Sequence, residues 1–104
     1  MASNRLEILK DMVAKSPNDS RTRYMLAMEL HNTGALEGAV KEFQTLLASD
    51  ASFGYAYFHC GQILEKLGQM VEARTLYTQG IAAATRSGDE KARSELEGAL
   101  KALG

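Results

Sequence analysis

The sequence predicts an all-α protein in which pairs of antiparallel helices repeat along the chain. Three observations support this fold class. Only one proline and no tryptophan occur among 104 residues, which favours helices over a strand-rich, turn-rich fold. Apolar residues recur at intervals of three and four, the spacing of one face of an α-helix. The order of small, aromatic and aliphatic residues also repeats after 34 positions, and such a period is typical of stacked helical units.

The 34-residue period is visible when the chain is aligned with itself. The aligned pairs are Ala27 with Gly61, Leu30 with Leu64, Gly34 with Gly68, Ala39 with Ala73, Phe43 with Tyr77 and Leu47 with Ile81. Most pairs keep the size of the side chain, whereas Glu37 and Val71 do not match. A unit of this length holds two helices, and neither can bury its apolar face without its partner and the next pair.

Each unit predicts a first helix, a glycine stop and a returning helix. In the first unit these are Leu26, Ala27 and Leu30, then Gly34, then Leu36, Ala39, Phe43, Leu46 and Leu47. In the second unit they are Tyr57, Cys60, Gly61 and Leu64, then Gly68, then Met70, Ala73, Leu76, Tyr77 and Ile81. Glycine past a helix end adopts the left-handed conformation that stops the helix. Since Gly61 lacks a side chain, another helix is expected to cross closely there.

Each end of the chain predicts one further helix. The first has Leu6, Leu9, Met12 and Val13 on one face and ends before Pro17. The last follows Gly88 and carries Ala92, Leu96, Ala99, Leu100 and Leu103 on one face, with charges elsewhere, as a terminal capping helix needs. We therefore expect one domain, 1–104, made of an opening half-repeat helix (4–16), two repeats (20–53 and 54–87) and a capping helix (88–103).

Residues 56–81 are similar to the tetratricopeptide-repeat (TPR) consensus. The consensus positions for aromatic, leucine-like, small and turn residues are filled in order by Tyr57, Cys60, Gly61, Gly68, Ala73, Tyr77 and Gly80. The unit 20–53 departs from it, because Arg23 stands where the aromatic belongs and Leu46 and Ala51 replace a late small residue and a closing proline. The resemblance covers nearly the whole chain. It implies a small bacterial-type TPR domain, a right-handed superhelical stack of about six helices.

The resemblance also implies a binding groove, because the first helices of TPR proteins line a concave surface that commonly takes a peptide or a partner helix. The implied groove residues are Arg21, Tyr24, Met25, Met28 and Asn32, then Tyr55, Phe58, His59, Gln62 and Lys66, and Arg93 of the last helix, with Asp89 and Leu96 beside it. Aromatic residues are favoured anchors at interfaces, and methionine adapts to varied partners. The alternative is that some of these side chains pack sideways against neighbouring helices.

Some TPR proteins hold a carboxylate of their partner with a clamp of lysine, arginine and asparagine. The matching positions here carry Tyr24, Met28, His59 and Asp89. Only Arg93 agrees with the clamp, so a receptor for chaperone tails is not expected. The expected ligand is an apolar or amphipathic segment, with Arg21, Lys66 and Arg93 available for an acidic flank.

Composition disfavours other classes of partner and compartment. A net charge of −1 gives no strong field to attract nucleic acid or an acidic membrane. The single Cys60 excludes an internal disulfide and favours a reducing compartment. The charged N-terminus is a poor secretory signal, and no apolar run is long enough to span a bilayer. A cytoplasmic protein with neither nucleic-acid nor membrane partners is expected.

Catalytic chemistry is also not expected. His59 and Cys60 are adjacent, and neighbours on a helix point about 100° apart, so they cannot easily share a ligand. No zinc-binding spacing is present, and a buried cysteine in a leucine-like position is inert. We therefore expect no enzyme, no cofactor and no metal. Two functions remain: a module that binds a partner protein in the groove, or a self-assembly module that forms homo-oligomers through its terminal helices.

Overall fold

The computed structural model describes the backbone of residues 2–104 and the side chains of residues 4–104. It contains six helices: α1 Ala2–Lys15, α2 Ser20–Asn32, α3 Leu36–Ser49, α4 Gly54–Lys66, α5 Met70–Ser87 and α6 Glu90–Leu103. No strand occurs within 2–104. The predicted all-α stack of six helices is therefore confirmed.

Every helix packs against its neighbours in sequence, and α4 also contacts α6. The result is an elongated stack of 38 × 28 × 19 Å. The predicted helix pairs α2–α3 and α4–α5 are in contact, whereas the boundaries of the repeats themselves stay a prediction. Helices α4 and α6 therefore lie side by side, and α2 meets α4 through contacts of Tyr24 with His59 and of His31 with Lys66.

Three glycines end helices with the same backbone geometry. Gly34, Gly68 and Gly88 have φ angles of +87°, +78° and +74°, in the left-handed region. After each glycine, the next residue donates its N–H to a carbonyl five positions back; for example, Gln69 N–H donates to Leu64 O over 2.8 Å. This pattern satisfies carbonyl groups that the helix end would otherwise leave unpaired. The chain reverses in the same way each time.

The main core lies between α2 and α6. Its largest fully buried side chains are Phe43, Leu46, Cys60, Ile63, Tyr77 and Leu96. A smaller cluster of Leu9, Val13 and Leu26 joins α1 to α2. Two methionines predicted on buried faces are instead exposed. Met70 lies in the first turn of α5, and Met12 lies on α1 at a depression that Met25 of α2 also lines.

Helices α4 and α5 cross closely because an aromatic ring of each helix lies over a glycine of the other. A methyl group at position 61 would lie 2.3 Å from Cε1 of Tyr77, and one at position 80 would lie 2.6 Å from Cβ of Tyr57. The expected close approach at Gly61 is therefore present. The hydroxyl of Tyr77 also donates a hydrogen bond to the carboxylate of Glu65.

The first pair, α2 and α3, is joined differently at the position of Arg23. Nη1 of Arg23 donates to Oε1 of Glu42 over 2.6 Å, and Nη2 donates to the carbonyl of Pro17 over 3.1 Å. Because both side chains are largely buried, this charged pair is less screened than a surface pair. It occupies the place that the aromatic Tyr57 takes in the second pair.

Candidate binding groove

Ten of the eleven predicted groove residues lie on α2 and α4, and none of the ten is buried. Arg21, Met25, Asn32, Gln62 and Lys66 are exposed, and Tyr24, Met28, Tyr55, Phe58 and His59 are half-buried. On each helix the five residues follow the same spacing, which keeps them on one face. We call the surface formed by these ten residues the candidate groove.

Aromatic contacts hold the two faces of the candidate groove together. The ring of Tyr24 stacks on Phe53 with centroids 5.1 Å apart, and it lies 5.9 Å from Phe43 and 5.8 Å from His59. His59 in turn meets Phe58 edge-on at 5.4 Å. The ring of Tyr24 therefore packs sideways between the helices, as in the alternative interpretation, while part of it stays accessible.

A polar contact joins the other end of the two helices. Nζ of Lys66 donates to Nε2 of His31 over 2.8 Å. Since Nε2 accepts this bond, the neutral ring carries its proton on Nδ1, a buried atom that has no hydrogen-bond partner within the described residues. Sequence reasoning missed His31 as a neighbour of the groove. The signal was its position three residues after Met28, on the same side of α2.

Both histidines near the groove are held neutral. Burial lowers the pKa of His59, the nearby His31 lowers it further, and Glu95 acts in the opposite direction. Burial also lowers the pKa of His31, with a second contribution from the charge of Lys66. These imidazoles therefore present uncharged surfaces to a ligand at neutral pH.

We expect the free energy of unfolding to fall as the pH drops below 6.5, the ordinary histidine pKa. The folded protein binds a proton at His31 and His59 less readily than the unfolded chain does, so acid favours unfolding. This stability is fully present above 6.5 and is lost as the pH falls through the lowered pKa values. Urea unfolding at a series of pH values measures the slope.

The matched control for this titration is His59→Gln, which keeps a polar side chain that cannot be protonated. Its slope between neutral pH and about pH 5 should be shallower than that of the unchanged chain. Equal slopes in the two proteins would contradict the assignment to His59.

The contribution of α6 to the groove comes from Glu95, and sequence reasoning missed this residue. Burial raises the pKa of Tyr55, and the nearby carboxylates of Glu95 and Asp89 raise it further, so both carboxylates lie near Tyr55 of the candidate groove. The predicted residue, Arg93, instead pairs with Glu90 and with Glu97, the latter over 3.0 Å. Because residues two apart lie on nearly opposite sides of a helix, Arg93 and Glu95 lie on different sides of α6, and the place of Arg93 in the groove stays a prediction. Leu96, predicted beside it, is fully buried.

The lengths of the helices explain why the 34-residue period selected Arg93. Helix α4 begins 34 residues after α2, at Gly54 and Ser20, but α6 begins 36 residues after α4, at Glu90. Helix α5 has 18 residues, whereas α3 has 14. Adding the repeat length of 34 residues to His59 gives Arg93. Adding the 36 residues that separate the starts of α4 and α6 gives Glu95.

The thiol of Cys60 is free and buried in the core. Burial raises the pKa of the Cys60 thiol to about 12, so the nucleophilic thiolate is scarce at neutral pH. No three histidine, cysteine or acidic side chains of the described part of the chain are grouped to hold a metal ion. Within residues 2–104, none of the helices has both the length and the apolar character needed to cross a membrane.

The fold and the groove define a helical-repeat protein with an open surface on its first helices. No family model matches the chain. A solution structure of a tetratricopeptide repeat domain protein from Salinibacter ruber is 33% identical, covering 85% of this chain and 89% of that one, with a TM-score of 0.80. The chain therefore belongs to the TPR family.

Two further comparisons agree with this assignment. A TPR repeat-containing protein of Pseudomonas aeruginosa is 26% identical over 98 residues, which cover 94% of this chain and 93% of that protein. The crystal structure of PcrH in complex with the chaperone binding region of PopD has a TM-score of 0.90, covering 98% of this chain and 77% of that one. At 17% identity, the likeness to PcrH shows the fold alone.

Proposed function

We propose that this TPR domain is a non-enzymatic adaptor that binds a segment of a partner protein in the candidate groove. Helical-repeat proteins present extended concave surfaces of this kind for binding other proteins. The observation that carries the proposal is the accessible set of rings and thioethers on one continuous surface, since Tyr55, Phe58, Met25 and Met28 all remain at least partly exposed there. PcrH, which shares the fold, is bound to a region of PopD in its structure.

The chemistry of the groove indicates the kind of segment that it accepts. The middle is apolar and aromatic, and both neighbouring histidines are neutral, which favours an apolar or amphipathic segment. Arg21 and Lys66 lie near opposite ends of the groove faces and can receive acidic residues that flank such a segment. Arg93 is left out of this proposal, because its charge is already paired with Glu90 and Glu97.

Replacing Tyr55 and Phe58 together with alanine is expected to weaken partner binding by about 2 kcal/mol, roughly thirtyfold. Tyr24 is kept, since its ring stabilises the contact between α2 and α4. Partners are identified by affinity capture from native extract with mass spectrometry, and the affinity of each captured segment is then measured by calorimetry.

The matched control replaces Gln44 and Thr78, which are exposed on the returning helices α3 and α5, with alanine. This variant should keep the full affinity. The groove proposal is wrong if the Tyr55→Ala, Phe58→Ala protein is folded and still binds every partner as tightly as the control does.

A further inference from the structure

One end of the candidate groove carries a positive charge that is held in place without being neutralised. Lys66 is exposed in the last turn of α4, and its Nζ donates to Nε2 of His31, in the last turn of α2, over 2.8 Å. No carboxylate of residues 4–104 forms an ion pair with Lys66. The ammonium group is thus fixed by a neutral ring and keeps its charge for a ligand.

Cations of α1 and α2 are held in a different way. Arg5 bridges to Glu29 over 3.0 Å, and Arg23 bridges to Glu42 over 2.6 Å. The charge of each arginine is therefore balanced by a carboxylate of the same chain. Lys66 differs from both, because a neutral imidazole accepts a hydrogen bond without bringing a negative charge.

The other titratable groups around this pair do not compensate the charge of Lys66. Glu65, the preceding residue of α4, accepts a hydrogen bond from the hydroxyl of Tyr77 on α5. His59 lies two turns earlier on α4 and is held neutral by burial and by the nearby His31. Among the described residues, Lys66 is the charged group that acts on the pKa of His31, and it lowers that pKa. The end of the groove therefore has a net positive charge.

This end of the groove also retains hydrogen-bond donors for a ligand. An ammonium group has three N–H donors, and His31 accepts from one of them. Gln62 lies one helical turn before Lys66, exposed on the same face of α4, and its side-chain amide supplies two further donors. A carboxylate has two oxygens and can accept from Lys66 and Gln62 together. Because Lys66 is already held, it loses less side-chain freedom on binding than an unattached lysine does.

We propose that Lys66, Gln62 and His31 form a subsite that binds one aspartate or glutamate side chain of the partner segment. Lys66 and Gln62 contact the carboxylate, and His31 is a positioning residue that holds the ammonium group. This inference rests on the proposed function and adds an acidic residue at a defined place. Phe58 lies eight residues before Lys66 on α4, a rise of about 12 Å. The acidic residue therefore follows the apolar anchor after about four extended residues or about eight helical ones.

A displayed library of random peptides, each linked to its carrier at both ends, tests the subsite without terminal carboxylates. Peptides selected by the unchanged chain should carry an aspartate or glutamate at a fixed distance from an apolar residue. Lys66→Gln should lose the acidic preference, keep the apolar one, and bind the selected peptides about fivefold more weakly. The matched control is Lys41→Gln, which changes an exposed lysine of α3 and should keep both preferences.

The pH dependence of binding tests the role of His31, with a selected acidic peptide as the probe. A carboxylate bound beside Lys66 favours the protonated ring, so the affinity should rise about threefold as the pH falls from about 7.5 to about 5.5. His31→Gln keeps an acceptor for Lys66 but cannot be protonated, so it should bind equally well at the higher pH without the rise. His59→Gln, the matched control, should keep the rise.

The results distinguish failure of the subsite from failure of the groove function. If the selected peptides depend on Tyr55 and Phe58 but show no acidic preference, or if Lys66→Gln retains that preference, the subsite is wrong and the groove function stands. If His31→Gln shows the same rise with acid as the unchanged chain, His31 is not the positioning residue. A library that yields no binding peptide, or peptides that bind equally well without Tyr55 and Phe58, would overturn both proposals.

Discussion

Replacing Gly61 with alanine is expected to lower the free energy of unfolding by about 3 kcal/mol. The new methyl group would lie 2.3 Å from Cε1 of Tyr77, well inside van der Waals contact. The ring cannot move aside, because Tyr77 is fully buried and its hydroxyl is held by Glu65. Helices α4 and α5 must therefore separate, which weakens the packing along their whole contact. Urea unfolding followed by circular dichroism measures the loss.

The matched control is Gly98→Ala, which makes the same substitution within helix α6. Nothing lies within 4 Å of a methyl group at position 98. Alanine there should raise the stability by about 0.5–1 kcal/mol, since glycine is the weaker helix former. If the two variants proved equally stable, the ring of Tyr77 could not lie over Gly61 as described.

Replacing Phe43 with alanine is expected to cost about 3–5 kcal/mol, the usual range for a buried phenylalanine. Phe43 is fully buried, and its ring lies 5.9 Å from Tyr24 and 6.4 Å from His59. The cavity would therefore remove support from both helices of the candidate groove. A domain of this size has only about 5–15 kcal/mol of stability, so the midpoint of urea unfolding should drop sharply.

Val71→Ala is the matched control for Phe43→Ala, because it also shortens an apolar side chain but at a residue that is 76% exposed. Its stability should stay within about 0.5 kcal/mol of the unchanged chain. A Phe43→Ala protein as stable as this control would show that the ring does not belong to the core.

Most of the fold could be predicted because its determinants are local. The helix stops at Gly34 and Gly68 need only a residue that adopts the left-handed conformation easily, and the sequence shows that glycine stands at both positions. The apolar stripes of α2 to α5 follow from the 3.6-residue helix period. The close crossing at Gly61 also followed from the residue itself, since a missing side chain leaves room for the facing ring.

Other features could not be predicted, because they depend on helix lengths and on contacts between helices, and a fixed sequence period gives neither. Helix α5 is longer than α3, so a shift of 34 chose Arg93 and missed Glu95. The contact between His31 and Lys66 joins helices of different units, and its existence depends on how those helices are spaced. Met12 and Met70 fit the apolar pattern, but no helix of the described stack covers them. A pattern identifies which face is apolar and does not show whether a neighbour is present.

The accessible part of the groove was the least predictable feature. Tyr24 belongs to the groove face by its spacing, and yet it stacks on Phe53 and lies near Phe43 and His59. A half-buried ring of this kind supports the fold and remains available to a ligand. Sequence spacing alone cannot distinguish a ring that supports the fold from one that contacts a ligand, because both lie on the same side of the helix.

The chain reverses at Gly34, Gly68 and Gly88 with the same backbone geometry, and this geometry does not depend on the side chains exposed on α2 and α4. Each reversal is fixed by main-chain angles and main-chain hydrogen bonds, and nothing lies within 4 Å of where a side chain would begin. The outward side chains of α2 and α4 can therefore be exchanged without altering how the chain turns. New binding preferences can arise in such a protein through changes at exposed positions such as Met25, Asn32 and Gln62, while the three chain reversals stay the same.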